Sequence, residues 1–122
     1  MVLIDTSIWV DHLSRGNESL VDLLHEGLAA CHPFVIGELA CGQMRKRSEI
    51  LGLLSALPQV RLAEHDELLA LVDRHRLFGR GLGWIDVHLL GSAHLSACTL
   101  WTLDKALADA AKTLGVSVDL KH

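Results

Sequence analysis

Short apolar runs alternate with stretches of helical spacing along this chain. Val2, Leu3 and Ile4 form an apolar run that ends at Asp5, the pattern of a short buried strand. Residues 6–13 then place Ile8, Trp9 and Leu13 at helical spacing, and residues 19–28 put Leu20, Leu23, Leu24 and Leu28 on one stripe. Residues 29–32 predict a short strand closed by Pro33, which suits the first turn of a helix running on through Glu38. Residues 45–57 predict an amphipathic helix on Ile50, Leu53, Leu54 and Leu57, stopped by Pro58. A weak strand follows at 60–62, then a helix at 65–77 with Leu68, Leu69 and Val72 inward. Gly79, Gly81 and Gly83 mark a loop. Residues 84–96 predict a helix, 99–102 a buried strand, 104–114 a helix and 116–120 a last strand. Alternation of this kind implies an α/β fold, a parallel sheet covered on both faces.

Four acids interrupt the apolar segments almost alone. Asp5 is the only charged residue in MVLIDTSIWV, Glu38 in PFVIGELACGQM and Asp86 in GLGWIDVHLLGSAHLSACTLWTL, a run that Asp104 ends. Carboxylates are seldom buried unless paired or bound to a metal. Asp5 and Asp104 fall at the carboxyl ends of predicted strands, the edge where parallel α/β sheets bind ligands. Asp86 starts a helix whose next inward positions, Leu90, Ala93 and Ala97, are apolar. Two explanations stand side by side. Each Asp lies near a helix start and suits an N-cap, and Glu38 suits a solvent face. A shared acidic site accounts for all four, and a cap can also be a ligand.

Composition narrows the classes. At 122 residues with half of them hydrophobic, the chain is expected to be one domain, 1–122, with a real core. No apolar run reaches membrane-spanning length, and the start lacks the form of a signal peptide. Cys31, Cys41 and Cys98 show no CxxC spacing and read as reduced thiols of a cytoplasmic protein. Of fifteen acids, the eleven other than these four balance the eleven basic residues, so the remaining surface is neutral.

Carboxylates brought close together repel and raise one another's pKa values. Hard divalent cations relieve this, and Mg²⁺ and Mn²⁺ take oxygen ligands. Two such ions activate water and steady the leaving oxygen of a phosphodiester. Metal-assisted phosphate-ester hydrolysis is the chemistry that fits.

VLIDTSIWVDHL, IGELACG, GWIDVHLLGSA and LWTLDKALADAA resemble, in order and over nearly the whole chain, the four acidic motifs of PIN-domain ribonucleases, most closely the VapC toxins of bacterial VapBC toxin–antitoxin pairs. The resemblance implies a PIN-like three-layer α/β/α fold with a central parallel sheet of four to five strands. It implies a Mg²⁺- or Mn²⁺-dependent endoribonuclease that cuts transfer, ribosomal or messenger RNA, leaving a 5′-phosphate and a 3′-hydroxyl. It implies inhibition by a VapB-type antitoxin, a homodimer, and a heterotetramer or larger assembly with that antitoxin. On this reading Asp5 is the central metal ligand, Asp86 and Asp104 join it directly or through water, and Glu38 holds the ion or orients the attacking water. Thr6, Ser7 and Thr102 hydrogen-bond within the site, or serve as ordinary cap groups. Many relatives carry a further Asp or Asn one turn after the third acid; here Leu89 and Leu90 stand there. A second ion is then held weakly until RNA supplies an oxygen, with Asp109 as a substitute ligand or simply a surface charge.

Other residues have competing readings. The eight histidines lack HExxH spacing, and His88 and His94 do not share a helix face; His12 and His88 lie near the motifs as RNA contacts. Of the basic clusters, Arg45-Lys46-Arg47 and Arg74-His75-Arg76 with Arg80, we favour Arg76 and Arg80 for RNA phosphates. Trp9, Leu13, Leu39 and Met44 are candidates to line an antitoxin groove or to be core. Two rivals remain. A phosphoacceptor receiver domain has a similar layout, but it needs an acidic pair where this chain has Asp5 then Thr6. A PIN-like domain that only binds a partner shares the fold without the chemistry.

Overall fold

Every side chain of the strand Val2–Ile4 (β1) is apolar and buried, so both faces of this strand need cover. In the computed structural model, which describes residues 1–120, β1 is the middle of a three-stranded sheet. Ala29–Ala30 (β2) flanks it on one side and Thr99–Trp101 (β3) on the other, both parallel to it. The register sets Leu3 beside Ala30 and Leu100.

The four to five strands expected become three, because the outermost chains pair at one residue each. Gln59 bridges to Cys31 and Ser117 to Leu100, both parallel. On the first side β2 is two residues long and His32 already caps the next helix, so little strand is left to pair with. On the other, the segment after Val116 turns polar at Ser117 and Asp119.

Seven helices connect these pieces among the described residues: Thr6–Arg15 (α1), Glu18–His25 (α2), Pro33–Ala40 (α3), Arg47–Ala56 (α4), His65–Arg74 (α5), Trp84–Leu95 (α6) and Lys105–Thr113 (α7). They form two groups. α1 packs on α3 and α3 on α4, while α5 packs on α6, and α6 and α7 on β3. Right-handed crossovers place the groups on opposite faces of the sheet. The core joins Leu3, Ile4, Ile8, Leu89, Leu90, Leu100 and Leu107, all fully buried. On α5 the inward residues are Leu68, Leu71 and Val72, and the expected Leu69 is exposed. The chain runs from β1 to β2 on one side and returns to β3 on the other. The crevice at the carboxyl ends of β1 and β3 is therefore the point where the strand order reverses, the usual ligand position of such sheets. No helix among the described residues is long and apolar enough to cross a membrane.

Candidate active site

Asp5 follows β1 directly, and its amide continues the ladder by donating to the Trp101 carbonyl at 3.0 Å. The side chain is buried, at 8% exposure. Its Oδ2 accepts from the Ser7 hydroxyl at 2.7 Å, the Thr102 hydroxyl at 2.7 Å and the Ser7 amide at 3.4 Å. The hydroxyls are oriented in turn: Ser7 Oγ accepts from the Leu103 amide and Thr102 Oγ1 from the Asp104 amide, each at 3.0 Å. Both hydroxyl protons are thus committed to Asp5. The turn after β3 holds the carboxylate that follows β1, with all these bonds on one oxygen and none on Oδ1.

The other acids repeat that arrangement. Asp104 caps α7, its Oδ1 accepting from the Leu107 amide at 2.9 Å. Asp86, in the first turn of α6, accepts the Gly83 amide on Oδ2 at 2.9 Å. Glu38 on α3 accepts the Thr6 hydroxyl on Oε1 at 2.7 Å, linking it to the residue after Asp5. The N-cap account holds for Asp5 and Asp104, while Asp86 is the third residue of α6 and bonds back to its N-cap, Gly83. Among the described residues each of the four carboxylates nevertheless keeps one oxygen free of protein donors, and the single ion pair there, Arg15 with Asp11, is elsewhere.

Burial separates the four. Asp5 is buried and Asp86 half-buried, whereas Glu38 and Asp104 are exposed. Burial raises the Asp86 carboxyl above its usual 3.8; the Gly83 amide opposes this, and the charges of Asp104 and Asp5 push it higher still. Asp86 thus feels the charges of both Asp104 and Asp5 across the crevice. Among the described residues no three His, Cys, Asp or Glu side chains stand close enough to grip one ion directly, as expected of like charges that repel. The donor set itself, oxygen-only and without a basic partner, suits a hard divalent cation that keeps part of its water shell.

The charge crowding has a measurable consequence. Below the unfolded value near 3.8 both states hold the Asp86 proton, and the raised folded value costs nothing. As pH rises through that folded value, the native state must give up a proton it holds more tightly than the unfolded chain does, and stability falls. Asp86→Asn is therefore expected to melt higher than wild type in metal-free buffer at neutral pH, with the gap closing at about pH 3. Thermal melts across this range check it; an Asp86→Asn protein that melts no higher at neutral pH contradicts the crowding.

The remaining candidates scatter. The inward stripe from Asp86 includes Leu90 and Ala93, both fully buried, but not Ala97, which lies exposed beyond α6. Leu89 is fully buried as well, so this turn offers no further ligand. Asp109 is exposed on α7, past its first turn. Arg80 donates to Thr113 at the end of α7, about 13 Å along the helix from the Asp104 cap. Arg76 lies exposed just beyond α5, whose first residue, His65, touches Trp84 beside Asp86. The structure does not bring either arginine to the carboxylates. His12 Nδ1 accepts the Asn17 amide. Leu13, Leu39 and Met44 do line one cavity of about 520 Å³, with Thr6 and Glu38 at its rim. Leu39, at 6% exposure, and Trp9, at 5%, belong to the core, Trp9 because its position on α1 faces the sheet.

The ring cluster beside Asp86 was not anticipated. His32, Phe34, His88, Trp84 and His65 touch in sequence along the starts of α3, α6 and α5. Burial, and then His88, lower His32 to about 4; burial, and then His65, also lower His88. The i, i+4 spacing of Trp84 and His88, and aromatic residues at strand-to-helix junctions, were the available signals.

Comparison with known proteins agrees with this geometry. Residues 2–113 match the family described as PIN domain. Two proteins named Ribonuclease VapC32, from Mycobacterium tuberculosis strains CDC 1551 / Oshkosh and ATCC 25618 / H37Rv, are each 48% identical over 119 residues, covering 97% of this chain and 96% of the relative. A parallel α/β sheet with acids at its carboxyl edge, a family match over nearly the full length and relatives matched end to end lead to one assignment: this chain belongs to the PIN-domain family.

Proposed function

We propose that this protein is the toxin of a type II toxin–antitoxin pair, an endoribonuclease that uses Mg²⁺ or Mn²⁺ and is held in check by a VapB-type antitoxin. The observation that carries this reading is the set Asp5, Glu38, Asp86 and Asp104 around one sheet edge. Each is fixed through one oxygen, and among the described residues the other oxygen has no protein donor and no basic side chain pairs with any of the four. Relatives at 48% identity bear the name ribonuclease.

Asp5 would be the central ligand, since its carboxylate is the most firmly oriented of the four. Asp86 and Asp104 would join it directly or through water, and a cation would relieve the burial and like charge that oppose ionisation of Asp86. Glu38, steadied by Thr6, would hold or aim the attacking water with its free oxygen. A bound divalent cation would supply Lewis acidity toward water and phosphate. In the reaction a water oxygen bonds to phosphorus as the bond to the 3′ oxygen breaks. That oxygen takes a proton, leaving a 3′-hydroxyl and a 5′-phosphate.

The cavity lined by Leu13, Leu39 and Met44, with its acidic rim at Glu38, is the proposed seat of the antitoxin. A homodimer, and a heterotetramer or larger complex with antitoxin, complete the reading.

Purified protein is expected to cut RNA in Mg²⁺ or Mn²⁺, to stop in EDTA and to resume when metal is restored in excess. The fragments should carry 5′-phosphates, read by a 5′-monophosphate-dependent exonuclease. No cleavage of transfer, ribosomal or messenger RNA with either ion would favour a domain that only binds its partner.

A further inference from the structure

The ring cluster at the carboxyl edge is not used by the chemistry above. Phe34 and Trp84 are large apolar side chains left 39% and 40% exposed, although the core nearby is well filled. His88 lies between them, with its ring centroid 4.6 Å from Phe34 and 5.3 Å from Trp84. His32 supports this row from inside. It is fully buried, and its Nδ1 accepts the Phe34 amide at 2.9 Å, which assigns the proton of the neutral ring to Nε2. That atom has no partner among the described residues. The contacts between neighbours are edge-to-face, an arrangement that holds the rings firmly while leaving ring faces uncovered.

Position connects this row to the carboxylates. On α6 Trp84 and His88 share one face, four residues apart, with Asp86 between them on another face, and Phe34 lies one turn before Glu38 on α3. Both helices start at the carboxyl edge of the sheet. No Lys or Arg belongs to the row, so it has little to offer a phosphate. Among the described residues no three metal-ligating side chains meet there. Exposed aromatic rings without a cationic side chain, at the sheet edge that carries the phosphodiester site, match nucleobases, which stack on aromatic side chains regardless of their identity.

We propose that Phe34, His88 and Trp84 form a stacking shelf for unpaired bases of the RNA strand whose phosphodiester lies at the carboxylates. This rests on the nuclease reading of those carboxylates. The shelf selects single-stranded over duplex RNA, because paired bases keep their faces within the duplex stack.

The test measures binding without cleavage, using the Asp5→Asn protein in EDTA. The probes are a short single-stranded RNA carrying 2-aminopurine and an abasic oligomer of equal length and charge. The base-bearing RNA is expected to bind at least about fivefold more tightly and to lose 2-aminopurine fluorescence. Trp84→Ala and Phe34→Ala should each remove that preference, while Trp84→Phe keeps it. The salt dependence should not change in any of these variants, since no phosphate contact is lost. Equal binding of the abasic oligomer, or unchanged preference in both alanine variants, overturns the shelf. So does a Trp84→Ala protein that binds RNA normally but sediments as a monomer where the parent is a dimer, because the rings then belong to a protein interface. Failure of the nuclease reading shows separately, as wild-type protein that stacks RNA but does not cut it.

Discussion

Asp5→Asn is expected to reduce metal-dependent RNA cleavage by at least about 10³-fold while leaving a folded protein. The substitution keeps the size of the side chain and one acceptor oxygen. It removes the negative charge, and it brings an NH₂ group against the Ser7 and Thr102 hydroxyls, whose protons both point at Asp5 Oδ2 in the native site. If the amide oxygen takes that place, the NH₂ group occupies the position of Oδ1, the oxygen left for a cation. The fold should survive, because β1 and β3 are also joined by their backbone ladder and by the Asp5 amide bond to Trp101. Circular dichroism and a melting curve verify folding, and initial cleavage rates on one RNA give the loss. A folded Asp5→Asn protein within about tenfold of wild-type rate would remove Asp5 from the centre of the mechanism.

Leu90→Asp is expected to unfold the protein rather than to complete a second metal site. The resemblance to PIN-domain ribonucleases implies a further Asp or Asn where Leu89 and Leu90 stand, so the change looks like a restoration on paper. Leu90 is fully buried in the main core. Deleting a buried leucine side chain to alanine alone costs about 3–5 kcal/mol. A carboxyl placed there without partners adds a desolvation cost of at least about 1–3 kcal/mol. A domain of this size has about 5–15 kcal/mol in total. Denaturant titration and soluble yield check the outcome. A soluble variant with the wild-type midpoint, or one with tighter Mg²⁺ binding, would show that this turn of α6 opens toward the crevice.

Local signals explain what the sequence made legible. Val2–Ile4 had only apolar side chains, Pro33 started α3, and the glycines at 79, 81 and 83 separated α5 from α6; each feature acts within a few residues. Partner-dependent features were harder. Residues 60–62 and 116–120 are apolar enough for strands, yet pairing needs a neighbour of matching length, and β2 ends after two residues. Trp9 and Leu13 are one turn apart on α1, but only the packing of α1 on the sheet decides that Trp9 is core and Leu13 lines the cavity. The acids stand out in the sequence as lone charges in apolar segments, yet of the four only Asp5 is buried. The hydroxyls of Ser7 and Thr102 were legible as neighbours of those acids; their convergence on one oxygen was not, since it depends on the register of β1 with β3.

The bond from Thr102 to Asp5 joins residues 97 positions apart. During synthesis the N-terminal part of a chain emerges first, so Asp5 leaves the ribosome long before the turn that will hold it. Until residues 102–104 have emerged and β3 has docked, Asp5 lacks the Thr102 hydroxyl, and Asp104 has not joined the crevice. On the nuclease reading proposed above, the carboxylate site is therefore incomplete on the nascent chain until the turn after β3 is free to fold.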